Sequence, residues 1–274
     1  MDKDTAHRIG STCRFQSEVL AVPVLVAREQ ELIELEQFLE LASEGNGTTV
    51  FVSGEAGTGK TRLMNEFLNR AESQEVTVLT GWCLSNAAVP YFPFFEAFKM
   101  YFSREQNEEA VKVTKWLEGP THSDLPEKAQ LFTPQAWKDQ TFTAVTKTLM
   151  AISAKKPIIL FIDDIHWADS ASLALIHYIA RAIKSERILL VATFRSEELT
   201  VDAEGRPQPL VHTLRLMRRE DLFTEIKVAS LNQKGVSELA QSMLGGDLQQ
   251  ELVGKLTAES YCLLYTSPSP RDRS

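Results

Sequence analysis

Eight residues constrain this chain more than any others: GEAGTGKT, Gly54 to Thr61. They complete TTVFVSG (Thr48 to Gly54), a short β-branched run bounded by turns, which predicts a strand. They lead into a segment from Lys60 to about Ala71 that reads as a helix. The string satisfies G-x-x-x-x-G-K-[ST] in full, and in the strand-then-helix context that pattern requires. Gly54, Gly57 and Gly59 open backbone angles closed to other residues and let the main chain approach a ligand. Successive N–H groups and the positive end of the following helix then form a cradle for an anion.

The rest of the chain alternates in the same way. Leu32, Leu35, Phe38, Leu39 and Leu41 fall near helical spacing between Arg28 and Leu41. EVTVLTG (Glu75 to Gly81) predicts a second strand, and AAVPYFPFFEAF a loop and a helix. Residues 103–135 are charged and irregular and suit a helical insertion. A helix near 136–154 precedes an apolar strand at 157–162, and Ser170 is placed to cap a helix reaching about Lys184. Further strands are expected at Arg187 to Phe194 and Leu222 to Val228, with a helix at 207–219 between them. Two short helices follow, near 233–243 and 247–258. The fold class is therefore α/β: a P-loop NTPase-type three-layer α/β/α arrangement with a mainly parallel sheet, followed by the start of a helical lid. The expected division is a loose tail at 1–21, a core at 22–229, the lid at 230–260 and a separate tail at 261–274.

Composition narrows the partners. The formal net charge is -8, which argues against non-specific nucleic-acid binding by this piece. Cys13, Cys83 and Cys262 fit no CxxC or Cys/His pattern, so free thiols and no zinc site are expected. The N-terminus lacks the apolar core of a signal peptide, and the apolar runs are too short to span a bilayer. A cytoplasmic protein is the expectation.

The strand at 157–162 ends in two acids, within FIDDIHWADS (Phe161 to Ser170). A buried carboxylate is costly unless it is paired or binds a metal. In P-loop enzymes magnesium is held by the loop Ser/Thr and by an acid at a neighbouring strand end. That assigns Thr61 and Asp163 to Mg²⁺. Lys60 reaches the β- and γ-phosphates, and Gly54, Glu55, Ala56, Gly57, Thr58, Gly59, Thr61 and Arg62 surround them. Asp164 either orients or polarises the attacking water or only tunes the metal's surroundings. Arg195, at the end of ILLVATF, either senses the γ-phosphate or is a surface arginine paired with Glu197 or Glu198. His166 reads as a packed or exposed loop histidine, Trp167 as a packing anchor, and Asp169 as a helix N-terminal residue beside the cap.

Four stretches together resemble the ATPase domain of the STAND class, the signal transduction ATPases with numerous domains, in its AAA-like branch. They are VLVAREQEL (Val24 to Leu32), VSGEAGTGKTRL, FIDDIHWADSASL and LLVATFRSEEL. The resemblance covers about residues 22–245. It implies ATP or ADP as the nucleotide and places Arg28 and its neighbours near the base. It also implies self-association in the ATP state, and effector or sensor domains C-terminal to the lid. Ala27 stands where the class normally has glycine.

Three functions remain. The first is an ATP-binding and hydrolysing regulatory switch of a larger bacterial signalling or transcription-regulatory protein, a Mg-dependent ATPase of slow turnover. The second is a nucleotide-locked scaffold with negligible hydrolysis. The third is another P-loop class such as an AAA+ motor, for which only Arg181 can be argued as a finger acting in trans. CLLYTSPSPRD, near the C-terminus, resembles the translation of a transposon-end sequencing adaptor. On that reading residues 261–274 are non-native and the chain is a fragment.

Overall fold

The computed structural model describes residues 25–85, 89–104, 134–199 and 208–244. The expected N-terminal tail, most of the insertion, the second lid helix and the C-terminal tail lie outside them. Strands and helices alternate as α1 (Glu29–Ser43), β1 (Thr48–Gly54), α2 (Lys60–Glu72), β2 (Thr77–Trp82), α3 (Phe92–Arg104), α4 (Pro134–Ser153), β3 (Ile158–Asp163), α5 (Ser170–Ala182), β4 (Ile188–Arg195), α6 (Pro209–Arg219), β5 (Thr224–Lys227) and α7 (Gln233–Leu244).

The five strands pair in the order β2-β3-β4-β1-β5, and every pairing is parallel. A parallel sheet is covered on both faces, so its central strands must be apolar on both sides. β1, β3 and β4 are buried almost throughout, whereas the edge strand β5 buries only Ile226. Val50, Val52, Ile159, Phe161, Leu189 and Val191 pack with α1 and α2 on one face. Their alternates Phe51, Ile158, Leu160, Ile162, Leu190 and Ala192 pack with α3 to α6 on the other. The two cores and the sheet between them are the three layers expected from the sequence.

Two local expectations are corrected. The cap of α5 is Asp169, not Ser170: its carboxylate accepts from the Ala171 and Ser172 N–H groups. Asp169 lies in extended backbone, where its short carboxylate reaches back over the first turn, whereas Ser170 is already helical. Trp167 is no packing anchor. It lies in a 3₁₀ turn (Ile165–Trp167), is 40% exposed, and touches the ring of His166 at a centroid distance of 5.0 Å. Ile165 fills the core position in that turn instead.

Cys83 is buried and free, and burial pushes its thiol pKa up, so it is an inert core residue. Among the described residues no helix is long and apolar enough to cross a membrane.

Candidate functional site

In a parallel α/β sheet, ligand sites form beyond the carboxyl ends of the strands, where the strand order reverses. Here that point lies beside β1, whose neighbours are β4 and β5. The register sets the tip of β1 against the tip of β4, with Gly54 opposite Arg195. Asp163 ends β3, on the other side of β4.

The loop leaving β1 has the conformation its glycines predict. Gly57 and Gly59 take φ of 77° and 94°, values an L side chain rarely adopts. Gly59 is the residue before α2, so the turn from strand into helix depends on it. Glu55 and Gly57 are exposed, Ala56 is half-buried and Thr58 is buried. Lys60 begins α2 and is buried, and its Nζ donates to the carbonyls of Gly54 (2.7 Å) and Glu55 (2.8 Å). Burial draws its pKa below the ordinary lysine value, and the charges of Glu197, then Asp164 and Asp163, act against that. Thr61 and Arg62 continue the first turn of α2, exposed and half-buried respectively.

The acid tip is built differently. Asp163 is only 4% exposed. The hydroxyl of Thr193, on β4, donates to Asp163 Oδ1 at 2.5 Å and accepts from the Asp164 N–H at 2.8 Å. One buried hydroxyl therefore fixes both acids. Asp164 sits at φ 58° and ψ 49°, in the left-handed region. Asp is one of the few residues that visit it, because a short polar side chain offsets part of the cost. That turn leaves the Asp164 carboxylate 27% exposed while Asp163 points into the fold.

His166 lies beneath this tip. Its side chain is 1% exposed, and its Nδ1 is 3.8 Å from Asp164 Oδ1, beyond hydrogen-bond reach. Among the described residues neither ring nitrogen has a hydrogen-bond partner. Burial, then the charges of Arg195 and Lys60, push its pKa down to about 4, so the ring is neutral near pH 7.

Arg28 is a strut. It is buried, and its guanidinium donates to the carbonyls of Thr58 (3.0 Å) in the loop and Ala229 after β5, and pairs with Glu31 at 3.2 Å. Ala27 beside it takes φ 53°, a glycine-like backbone angle carried by an alanine. Arg181 does not join the site. It pairs two-pronged with Glu220 at 2.5 Å, which holds that carboxylate down at about 2. An arginine already engaged within its own chain is a poor finger for another.

The structure thus brings Lys60, Asp163, Asp164 and Arg195 together, close enough for each charge to act on Lys60. Sequence reasoning missed two residues. Thr193 announces itself only as a polar residue inside the apolar run ILLVATF. Glu197, weighed only as one of two acids that could pair with a surface Arg195, accepts a hydrogen bond from the Ala56 N–H at 2.7 Å.

Comparison with known proteins bears on the family and the fold. A relative of 28% identity over 192 residues is an uncharacterized protein of Rhizobium meliloti (strain 1021); the match covers 62% of this chain and 18% of that protein. The fold is shared with the Drosophila ORC bound to DNA, at a TM-score of 0.53 and 16% identity, over 99% of this chain and 62% of that one. A STAND protein with a tetratricopeptide repeat sensor from Pyrococcus horikoshii matches at a TM-score of 0.47 and 17% identity, over 90% of this chain and 30% of that one, which does not decide the subclass. The model of the AAA ATPase domain matches residues 24–191, more than half of the sequence, and the chain belongs to that family.

Proposed function

We propose that this chain is the ATP-binding and ATP-hydrolysing switch module of a larger bacterial signalling or transcription-regulatory protein of the STAND type. The observation that carries the reading is the convergence of Lys60, at the start of α2, with Asp163, Asp164 and Arg195 at the adjoining ends of β3 and β4, beside a glycine loop. The loop fits an anion: its Ala56 N–H already takes a carboxylate oxygen. The Thr61 hydroxyl and Asp163 carboxylate fit Mg²⁺, which favours oxygen donors and completes its shell with phosphate and water. When bound, the metal would offset the charge of the phosphates.

The chain's own residues supply the rest. The loop N–H groups and the ammonium of Lys60 hold the phosphates. Thr193 presets Asp163 and fixes the backbone of Asp164. Asp164, partly exposed, orients the attacking water and accepts its proton. Arg195 lies opposite the start of the loop and answers to the γ-phosphate. Arg28 holds the loop carbonyl of Thr58 against the segment that enters the lid, and on the family resemblance lies toward the base. Since the chain spans 18% of the curated relative, sensor and effector parts, and self-association in the ATP state, belong to the whole protein under the same proposal. A cytoplasmic location and no direct nucleic-acid contact by this domain complete it.

A second reading is a scaffold that holds nucleotide without turning it over. The Glu197 carboxylate on the phosphate loop favours it. Asp164→Asn separates the two. In the switch, single-turnover hydrolysis of ATP falls about 10²-fold or more in this variant, with ATP affinity little changed. A wild type that binds ATP and never turns it over leaves the scaffold; a variant as fast as wild type removes Asp164 from the chemistry.

A further inference from the structure

Lys60 extends back along its loop, away from α2, and its ammonium rests on the carbonyls of Gly54 and Glu55. In loops of this kind the N–H groups cradle the α- and β-phosphates, while the lysine reaches the β- and γ-phosphates, and here the ammonium lies at the strand end. The strand end of the loop, residues 54–56, is therefore its terminal-phosphate end. Ala56 follows Glu55 directly, and its N–H donates to Glu197 Oε1 at 2.7 Å. Of the acids around Lys60, Glu197 acts on it most strongly, ahead of Asp164 and Asp163. A carboxylate thus sits where the charge of the last phosphate belongs. One N–H cannot serve both anions, and two like charges a few ångströms apart repel. Glu197 is exposed, in a three-residue 3₁₀ turn (Ser196–Glu198) that directly follows Arg195. Its departure uncovers no core.

We propose that Glu197 is a specificity-determining residue, competing with the terminal phosphate for the Ala56 N–H and so weighting the site toward the diphosphate. The proposal rests on the nucleotide reading given above. A ligand that ends at the β-phosphate leaves the Glu197 contact in place. A triphosphate must break it, displacing the turn that carries the Arg195 strand onward.

The experiment is a titration of ADP and of a non-hydrolysable ATP analogue, with Mg²⁺, against wild type, Glu197→Ala, Glu197→Gln and Glu198→Ala. Glu198→Ala makes the same change in net charge next door. The expected result for Glu197→Ala is a gain in triphosphate affinity of roughly tenfold with ADP affinity within about twofold, the worth of one charge-assisted hydrogen bond. Glu197→Gln, which keeps a neutral acceptor, falls between, and Glu198→Ala leaves the ratio as in wild type. Binding by all four proteins with an unchanged ratio overturns this proposal and leaves the nucleotide reading standing. A Glu198→Ala shift equal to that of Glu197→Ala also overturns it, since bulk charge then explains the gain. Absence of nucleotide binding in every protein, folded wild type included, removes both.

Discussion

The phosphate loop after β1 and the acid tip of β3 face the same site and are held in opposite ways. At the loop, the contacts that face the site run from two side chains, one exposed and one buried, to main-chain groups. An exposed glutamate meets one N–H, and a lysine meets two backbone carbonyls. Each can be exchanged for a phosphate oxygen without opening the core. At the acid tip the contacts are buried: Thr193 is fully enclosed, Asp163 nearly so, and the hydroxyl between them holds the Asp163 carboxylate and the Asp164 backbone. The difference teaches a division of labour. The half that must admit a ligand is adjustable, and the half proposed to hold the metal and aim the water is set in advance. Preset donors cost no reorganisation when charge develops, which is where such sites gain most.

Thr193→Val keeps the shape and removes the hydroxyl, and with it the hydrogen bonds to the Asp163 carboxylate and the Asp164 N–H. Its expected cost is about 1.5–3 kcal/mol, since hydrogen bonds to charged groups are worth that much. Denaturant unfolding would measure it, and Thr193→Ser should restore most of the loss. A valine variant as stable as wild type would show that the acid tip is no more locked than the loop.

His166 gives a pH-dependent claim. It faces Asp164, Asp163, Lys60, Arg195 and Glu197, and its folded pKa of about 4 lies below the 6.5 of a free histidine. Between those values the unfolded chain binds the proton and the folded one does not, so stability from this group declines as pH falls from about 6.5 to 4. The decline amounts to roughly 2 kcal/mol by pH 5. Unfolding of wild type and His166→Gln at pH 7 and pH 5 should show a steeper loss in wild type by about that amount. Equal slopes would contradict the neutral, enclosed ring. The smallest effect belongs to the loop: Glu197→Ala should change stability by no more than about 0.5 kcal/mol, as an exposed contact does.

Much of this was legible beforehand, for local reasons. β1 runs over the residues its β-branched pattern predicts, because a short apolar run between turn residues has few alternatives. The loop and the acid pair were legible because phosphate and metal chemistry dictate residue types at fixed spacing. What escaped depends on register. Thr193 meets Asp163 because β3 and β4 pair in parallel with Ile162 opposite Ala192, one step short of them. Nothing within either strand states that offset. Glu197 escaped for a similar reason: its partner is an amide 141 residues away, not the arginine two positions before it. Trp167 misled because a large aromatic usually packs, whereas here the smaller Ile165 takes the inward position in the turn.

The central claim is that the β1 loop and the acid tip are two halves of one nucleotide and magnesium site. Calorimetric titration of ATP into wild type and Lys60→Ala, each with Mg²⁺ and with a chelator, tests it most directly. Wild type is expected to bind ATP, chelation to weaken the binding, and Lys60→Ala to weaken it by about 10²-fold with the fold intact by circular dichroism, as loss of a buried charge on phosphate requires. Wild type that binds no ATP, or Lys60→Ala that binds as well as wild type, would contradict it.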